Sequence, residues 1–255
     1  MNPSVNLASE TLAEDYDVPE LMAIAMARLV RNGELTFVGV NSPLPFVAVT
    51  LARALHAPET QFLTVAGGMH VTPTRLIPNT SSAELGAGSA AIFDNQEIYG
   101  LNGRGRIDLT FLGMAQIDAY GKVNSSFIGD PDRPQVRFPG GGGAPAIMPM
   151  AKRVVLWRLD HSRKIFTDKV QFVTSMGNLH RVISSKCVFC YTEERLVLES
   201  IHPGVSRDEL ADLTGFDIPG LRDAPITPPP MQVEIDILRR IDPDGVRNAE
   251  LPRSA

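Results

Sequence analysis

The feature that most constrains the fold is the alternation of helix-like and strand-like segments between residues 17 and 65. Asp17 and Glu20 have the spacing of a capping box, and the segment that they open ends at Asn32-Gly33. Its apolar residues recur at helical spacing, namely Leu21, Met22, Ala25, Met26, Leu29 and Val30. A short apolar run at 35–40, a helical pattern at 45–56 and a second short run at 61–65 follow. Strand–helix–strand order predicts an α/β fold with an open mixed, largely parallel sheet and helices on both faces.

The rest of the chain supplies further elements for one large domain. We predict a polar N-terminal lead over residues 1–16, a single domain over 17–245 and a C-terminal tail over 246–255. Apolar runs predict strands at 107–114, 123–128, 153–159 and 170–174, and a β-hairpin from 181–191 and 195–201 around residues 192–194. Helical patterns begin near residue 95, at 206 with a capping pair Ser206 and Glu209, and at 231.

Composition excludes several classes of partner. A net charge of −5 gives no basic surface for nucleic acid or an anionic membrane. No apolar run approaches the roughly 18 residues that span a bilayer, and the first 17 residues are polar and acidic, unlike a signal peptide. Two cysteines do not make a secreted disulfide framework. We therefore expect a cytoplasmic protein.

Two glycine-rich segments are candidate ligand sites. In open α/β sheets, ligands bind beyond the carboxyl ends of the strands, which is where the turn after the 61–65 strand falls. That turn contains Ala66, Gly67, Gly68 and His70. The four consecutive glycines, Gly140, Gly141, Gly142 and Gly143, lie between two predicted strands. They form either a flexible surface loop or backbone that approaches a ligand and offers N–H groups to an oxyanion.

The residues around the second glycine segment resemble a known family. The strings AQIDAYGKVNSSFIGD (115–130) and RFPGGGGA (137–144) are similar to the β subunit of family I CoA-transferases, in particular the glutaconate type. Residues 20–48, 161–177 and 206–217 have similar counterparts in the same order, so the resemblance covers roughly residues 19–245. It implies a heteromer with a homologous α subunit, an acyl-CoA substrate whose thioester lies beside the glycine loop, and no further cofactor or metal.

One position departs from the family pattern. The resemblance implies a nucleophilic glutamate at the end of the second strand, but the aligned residue is Val65, and no Asp or Glu lies between Glu59 and Glu84. Valine cannot act as a nucleophile. Three readings remain open. The chain belongs to a hydrolase that cleaves a C–C or thioester bond, like the steroid ring-opening member of the family whose β subunit also lacks the glutamate. It is a transferase with its carboxylate elsewhere, or it is an acyl-CoA or effector binding module.

Several polar residues have either a catalytic or a structural explanation. His70 can act as a general base or bond a backbone carbonyl. Gln116 can face the ligand, Asn124 can serve either role, and Asp118 is expected to make an Asx-turn bond to the following backbone. Cys187 and Cys190 have CxxC spacing, but residues three apart on a strand face opposite sides, so we expect two ordinary core cysteines and no metal site. The histidines at 56, 161, 180 and 202 receive no predicted role.

Overall fold

The computed structural model describes residues 11–73 and 75–251, which divide by their internal contacts into two units. The first unit contains the chain up to Phe93 together with the segment from Pro228 onward, and the second contains Asp94–Thr227. Residues 1–10 and 252–255, which belong to the predicted lead and tail, lie outside the described residues.

The helices and strands follow in chain order. The helices are α1 (Val18–Ala27), α2 (Pro43–Leu55), α3 (Asn95–Gly103), α4 (Ala144–Ile147), α5 (Arg207–Leu213) and α6 (Gln232–Ile241). The first strands are β1 (Leu35–Val38), β2 (Gln61–Thr64), β3 (Gly68–Met69), β4 (Ala91–Ile92), β5 (Leu109–Gly113), β6 (Gln116–Ile117) and β7 (Val123–Asn124). The remaining strands are β8 (Phe127–Gly129), β9 (Pro134–Arg137), β10 (Arg153–Arg158), β11 (Leu179–Ser184), β12 (Cys187–Thr192) and β13 (Arg195–Ile201). Short 3-10 turns lie at Ala83–Gly86 and Val246–Asn248.

The first unit contains the predicted strand–helix–strand segment. β1 and β2 are parallel, as a helical connection through α2 requires, and β2, β3 and β4 continue the sheet in antiparallel order. α1 and α2 are apolar on almost all sides and buried along most of their length. A helix that is hydrophobic all round belongs in a core, so both helices form the interior of this unit.

The capping box that opens α1 also anchors the C-terminal part of the unit. Asp17 accepts a hydrogen bond from the Glu20 amide at 2.8 Å, and the Glu20 carboxylate accepts one from the Asp17 amide at 3.0 Å. The Glu20 side chain is 2% exposed and pairs with Arg239 of α6 at 2.8 Å and with Arg247 at 3.1 Å. A buried carboxylate needs such partners, so α1 is joined to α6 and to the 3-10 turn at 246–248.

The second unit contains a mixed five-stranded sheet. β5, β10 and β11 are parallel neighbours, and β12 and β13 extend the sheet antiparallel. The prediction of one strand over 181–191 is wrong, because the hydroxyl of Ser184 accepts the N–H groups of Lys186 and Cys187 and reverses the chain there. The α/β class with a mixed sheet is confirmed.

The segment 170–174 forms no strand, contrary to the prediction. Its apolar residues predict a strand, but Phe172 and Val173 are exposed, and an isolated bridge to Val123 forms only at the next residue, Ser175. The predicted Asx turn is confirmed, since the Asp118 carboxylate accepts the amide of Tyr120 at 3.0 Å and that of Lys122 at 3.2 Å. The Ser206 cap of α5 is also confirmed, with the Glu209 amide 3.0 Å from its hydroxyl.

Candidate functional site

Val65 lies in the tight turn that follows β2. The amide of Gly67 donates to the carbonyl of Thr64 at 3.0 Å, which closes a four-residue turn with Val65 and Ala66 at its corner. Both corner side chains are partly exposed. The position that the family resemblance assigns to a nucleophile therefore presents only hydrocarbon at the carboxyl end of β2.

Gly67 and Gly68 are required by the packing of this unit. Gly67 has φ of +87°, and a Cβ there would lie 2.0 Å from the carbonyl oxygen of Phe93. A Cβ on Gly68 would lie 2.3 Å from the carbonyl oxygen of Leu85. The close approach is thus to the protein's own backbone, and the Gly67 N–H, expected to face a substrate, is already used by Thr64.

His70 follows β3 and its ring contacts Arg53 of α2. The His70 backbone is left-handed, with φ of 55°, and its amide donates to the carbonyl of Phe62 at 2.7 Å. Nη2 of Arg53 lies 3.3 Å from Nε2 of His70, and Nη1 donates to the carbonyl of Val71 at 2.6 Å. Because a guanidinium only donates, Nε2 accepts and the ring proton lies on Nδ1. His70 could act as a base through Nε2 only after this contact breaks.

Gln116 and Asn124 are brought together as opposite residues of the β6–β7 hairpin. The Asn124 amide donates to Oε1 of Gln116 at 3.0 Å and to the carbonyl of Phe127 at 2.8 Å, and its oxygen accepts the amide of Ser126 at 3.0 Å. The Gln116 amide donates to the carbonyl of Lys164 at 2.8 Å. These bonds satisfy most of both side chains, so in this arrangement they shape the hairpin beside the glycine loop.

The glycine loop connects directly to this hairpin. The Gly140 amide donates to the carbonyl of Ser125 at 2.8 Å, and the Ser125 amide donates to the hydroxyl of Thr174 at 2.9 Å. A Cβ on Gly141 would lie 2.6 Å from the Thr174 methyl group. Gly140 and Gly142 instead have positive φ, +98° and +50°, with open space where a Cβ would be. Gly140 and Gly142 are therefore required by their backbone conformation, and Gly141 by its closeness to Thr174.

The same loop offers three hydrogen-bond donors. Among the described residues, the amides of Gly141, Gly142 and Gly143 have no acceptor within hydrogen-bond distance, and all three residues are at least partly exposed. Successive free N–H groups are backbone donors of the kind that bind a negatively charged oxygen. This arrangement can stabilise the oxyanion that forms when a carbonyl is attacked.

Other candidate groups have structural explanations. Cys187 is buried and Cys190 partly exposed, as expected for opposite faces of β12, and both are free thiols. Burial raises the pKa of the Cys187 thiol to about 12, which keeps it protonated. In the described part of the chain, no group of three potential metal ligands is found and no helix is long and apolar enough to cross a membrane.

Sequence reasoning missed Tyr99, on α3. Its hydroxyl lies beside the glycine loop, 2.4 Å from where a Cβ of Gly143 would be. A tyrosine on a short polar helix gives no signal of this proximity, because Tyr99 and Gly143 are 44 positions apart in the sequence. The turn at Val65 and His70 belongs to the first unit, and the glycine loop, Gln116, Asn124 and Tyr99 belong to the second.

Comparison with known proteins places the chain in a family. The model of the coenzyme A transferase family matches residues 20–212. The chain is 34% identical over 247 residues to the B component of the 3-oxoadipate CoA-transferase of Pseudomonas knackmussii, covering 89% of this chain and 94% of that protein. It is 27% identical to the cholesterol ring-cleaving hydrolase IpdB subunit of Rhodococcus jostii, covering 95% of this chain and 99% of that protein.

A solved structure is similar along nearly the whole chain. The crystal structure of the decarboxylase AibA/AibB superposes with a TM-score of 0.87 at 30% identity, covering 92% of this chain and 98% of that chain. The similar proteins are thus named a transferase, a hydrolase and a decarboxylase. The family prediction made from residues 115–144 is confirmed: the chain belongs to the coenzyme A transferase family and matches its β subunits.

Proposed function

We propose that the chain is the β subunit of a heteromeric enzyme that acts on an acyl-CoA and cleaves a thioester or C–C bond with water. The observation that carries the proposal is Val65 at the carboxyl end of β2. Transfer through a glutamyl anhydride and a glutamyl-CoA thioester needs a carboxylate nucleophile, and valine has none. No Asp or Glu lies between Glu59 and Glu84 to replace it from a neighbouring position.

The glycine loop fits the chemistry that remains. A base removes a proton from water, the water oxygen bonds to a carbonyl carbon of the acyl-CoA, and the π electrons move to the carbonyl oxygen. The amides of Gly141, Gly142 and Gly143 then stabilise this oxyanion. When the C=O bond re-forms, either the C–S bond breaks and releases CoA, or a ring C–C bond breaks and the resulting enolate takes up the proton.

The remaining site residues have supporting roles in this proposal. In the first unit, Val65 and Ala66 form an apolar corner at the carboxyl end of β2. In the second unit, Gln116 and Asn124 hold the hairpin on which the glycine loop rests. His70 serves as a positioning donor through Nδ1, since its Nε2 is engaged by Arg53. The base comes from the partner chain, and the CoA thioester is a substrate, so no further cofactor enters the reaction.

The names of the similar proteins support bond cleavage. IpdB belongs to a ring-cleaving hydrolase and AibA/AibB is a decarboxylase, and both names describe loss of a C–C bond. The similarity to a component of a 3-oxoadipate CoA-transferase, at 34% identity, favours the alternative of CoA transfer through a carboxylate outside this turn. A binding module is the third reading, and it predicts binding of a CoA ester without turnover.

A partner subunit is part of the proposal. The similar decarboxylase is named for two chains, and IpdB is named a subunit. In this chain, Phe172, Val173 and Met176 are exposed apolar residues around Thr174, which contacts the glycine loop at Gly141. Exposed apolar surface beside a candidate site is typical of a subunit interface, so we place a homologous α subunit against this segment.

The test is turnover by the complex with its partner chain. The complex is incubated with a panel of acyl-CoA esters, with and without acetate as acceptor, and CoA, free acid and acetyl-CoA are quantified. Borohydride followed by mass spectrometry of both chains traps a glutamyl-CoA thioester. Release of acid or cleaved product without an adduct supports the proposal. Acetyl-CoA formation with a reducible adduct would establish transfer instead, and binding without turnover would favour the binding module.

A further inference from the structure

Tyr99 lies at one side of the glycine loop on a helix that is anchored at both ends. Its helix, α3, begins with a capping box in which Asp94 accepts the Glu97 amide at 2.7 Å and Glu97 accepts the Asp94 amide at 2.8 Å. Near the end of the helix, the Asn102 side chain donates to the carbonyl of Ala146 at 2.9 Å, which ties α3 to α4. The helix that carries Tyr99 is therefore anchored to the residues that follow the loop.

Gly143, the last glycine of the loop, lies directly beside the Tyr99 hydroxyl. Gly143 has φ of −81° and ψ of −12°, a conformation that any residue can adopt. A Cβ at this position would lie 2.4 Å from the Tyr99 hydroxyl oxygen and 2.9 Å from Cδ1 of Ile147. A side chain here would therefore push against the Tyr99 hydroxyl, which is the atom nearest to the Cβ position.

The hydroxyl of Tyr99 has no hydrogen-bond partner among the described residues, and the side chain is 42% exposed. It lies beside Gly143, which is part of the loop that carries the free amides of Gly141, Gly142 and Gly143. A hydroxyl can donate to an oxyanion as a backbone amide does, and removal of one such donor typically lowers kcat by about 10²–10³-fold. We infer that Tyr99 is a further catalytic residue, whose hydroxyl donates a hydrogen bond to the acyl-CoA carbonyl oxygen as it becomes negative.

This inference rests on the proposed function, and it adds a side-chain donor to a loop of backbone donors. The bond is a hydrogen bond throughout, and no proton leaves Tyr99. The geometry also assigns a role to Gly143, because any larger residue there would displace the hydroxyl. The donor strengthens as charge develops on the oxygen, so its loss should reduce kcat more than it raises KM.

The experiment compares Tyr99→Phe with the unaltered complex, both with the partner chain present. The substrates are acetyl-CoA, glutaryl-CoA and a 3-oxoacyl-CoA. We expect kcat to fall about 10–100-fold with KM changed less than about threefold, since the tyrosine is partly exposed. Tyr120→Phe is the matched control, because Tyr120 is an exposed tyrosine outside the loop, and it should retain full activity.

A spectroscopic measurement separates a catalytic role from a structural one. The infrared carbonyl frequency of a ¹³C-labelled acyl-CoA bound to the complex should be higher in Tyr99→Phe than in the unaltered protein, because one polarising donor is lost. Unchanged kcat and an unchanged frequency would overturn the role of Tyr99 while leaving the acyl-CoA activity intact. Failure of the unaltered complex to bind any of these esters, measured by calorimetry, would overturn the proposed function and this inference together.

Discussion

Lowering the pH from 7 to 5 should destabilise the second unit, because two histidines are buried there in the neutral state. His161 is 4% exposed and His202 is 1% exposed. Burial lowers the pKa of His161 from 6.5 to about 3, with a smaller contribution from the charge of Lys186. Burial lowers the pKa of His202 from 6.5 to about 4, although its bond to the carbonyl of Ser184 acts in the opposite direction.

The hydrogen bonds of His161 explain why the neutral ring is favoured. Thr214 donates its hydroxyl to the carbonyl of Leu210, so its oxygen accepts from Nε2–H of His161 at 3.1 Å. Nδ1 then accepts from the hydroxyl of Ser184 at 2.7 Å. The Ser184 oxygen already accepts the amides of Lys186 and Cys187. It therefore has little capacity to accept an N–H from Nδ1 of His161 as well.

The magnitude follows from proton linkage. The folded pKa values lie below the unfolded value, so between about pH 6.5 and pH 4 the unfolded chain binds more protons and stability falls as pH falls. Above pH 6.5 the stabilisation is fully present. Each histidine contributes about 1.36 kcal/mol per pH unit, so the two together lower the free energy of unfolding by about 4 kcal/mol at pH 5. For a chain of this size the unfolding midpoint should fall by about 8–16 °C.

The assay is thermal and guanidinium unfolding at pH 7 and pH 5. His161→Gln and His202→Gln should each remove about half of the pH dependence, and the double variant should remove most of it, even though each change also lowers stability at pH 7. Glutamine keeps one donor and one acceptor, so it is the appropriate replacement. A pH dependence that is equal in the unaltered chain and the double variant would refute the assignment of neutral buried histidines.

Three further predictions concern the first unit. Gly67→Ala should lower the free energy of unfolding by roughly 3 kcal/mol, measured by guanidinium denaturation, because its methyl group would lie 2.0 Å from a backbone oxygen. Glu20→Gln should lower it by roughly 3 kcal/mol in the same assay, because Arg247 and Arg239 lose their buried carboxylate. Val65→Glu should give the complex a borohydride-reducible CoA adduct on this chain, detected by mass spectrometry, which the unaltered chain lacks.

Matched variants separate the causes in these tests. Gly33 also has a positive φ, +80°, but there is open space where its Cβ would be. Gly33→Ala should therefore lower the free energy of unfolding by only about 1 kcal/mol. An equal loss at Gly67 and Gly33 would contradict the clash with Phe93. Val65→Gln tests the carboxylate, because it has nearly the same shape as Val65→Glu without a nucleophile, and an adduct on both variants would contradict the argument.

Local sequence signals predicted the elements that depend on short-range chemistry. Asp17 with Glu20 and Ser206 with Glu209 each placed a helix start correctly, because a cap satisfies amides within three residues of itself. Asp118 was likewise assigned correctly to its turn. The strand–helix–strand order at 35–64 followed from apolar periodicity, and the family followed from residues 115–144.

The failures lay where pairing partners decide the structure. Residues 170–174 have the composition of a strand, but a strand exists only where a neighbour supplies a ladder, and an isolated bridge forms only at the next residue, Ser175. The chain reverses between β11 and β12 because the Ser184 hydroxyl accepts the amides of Lys186 and Cys187. The apolar runs on either side of this turn give no sequence signal of it. Cys187 and Cys190 differ in burial on β12, as their spacing on a strand predicts.

The sequence by itself determined the class of fold, the family and the absence of a carboxylate at position 65, since each depends on residue type and short spacing. Tertiary structure alone decided which polar groups are free to act. In the folded chain the ring of His70 contacts Arg53, and buried His161 bonds to Ser184. The Tyr99 hydroxyl lies beside Gly143. The physical reason is that hydrogen bonds and desolvation depend on distances between residues far apart in the chain, which folding fixes and spacing does not encode.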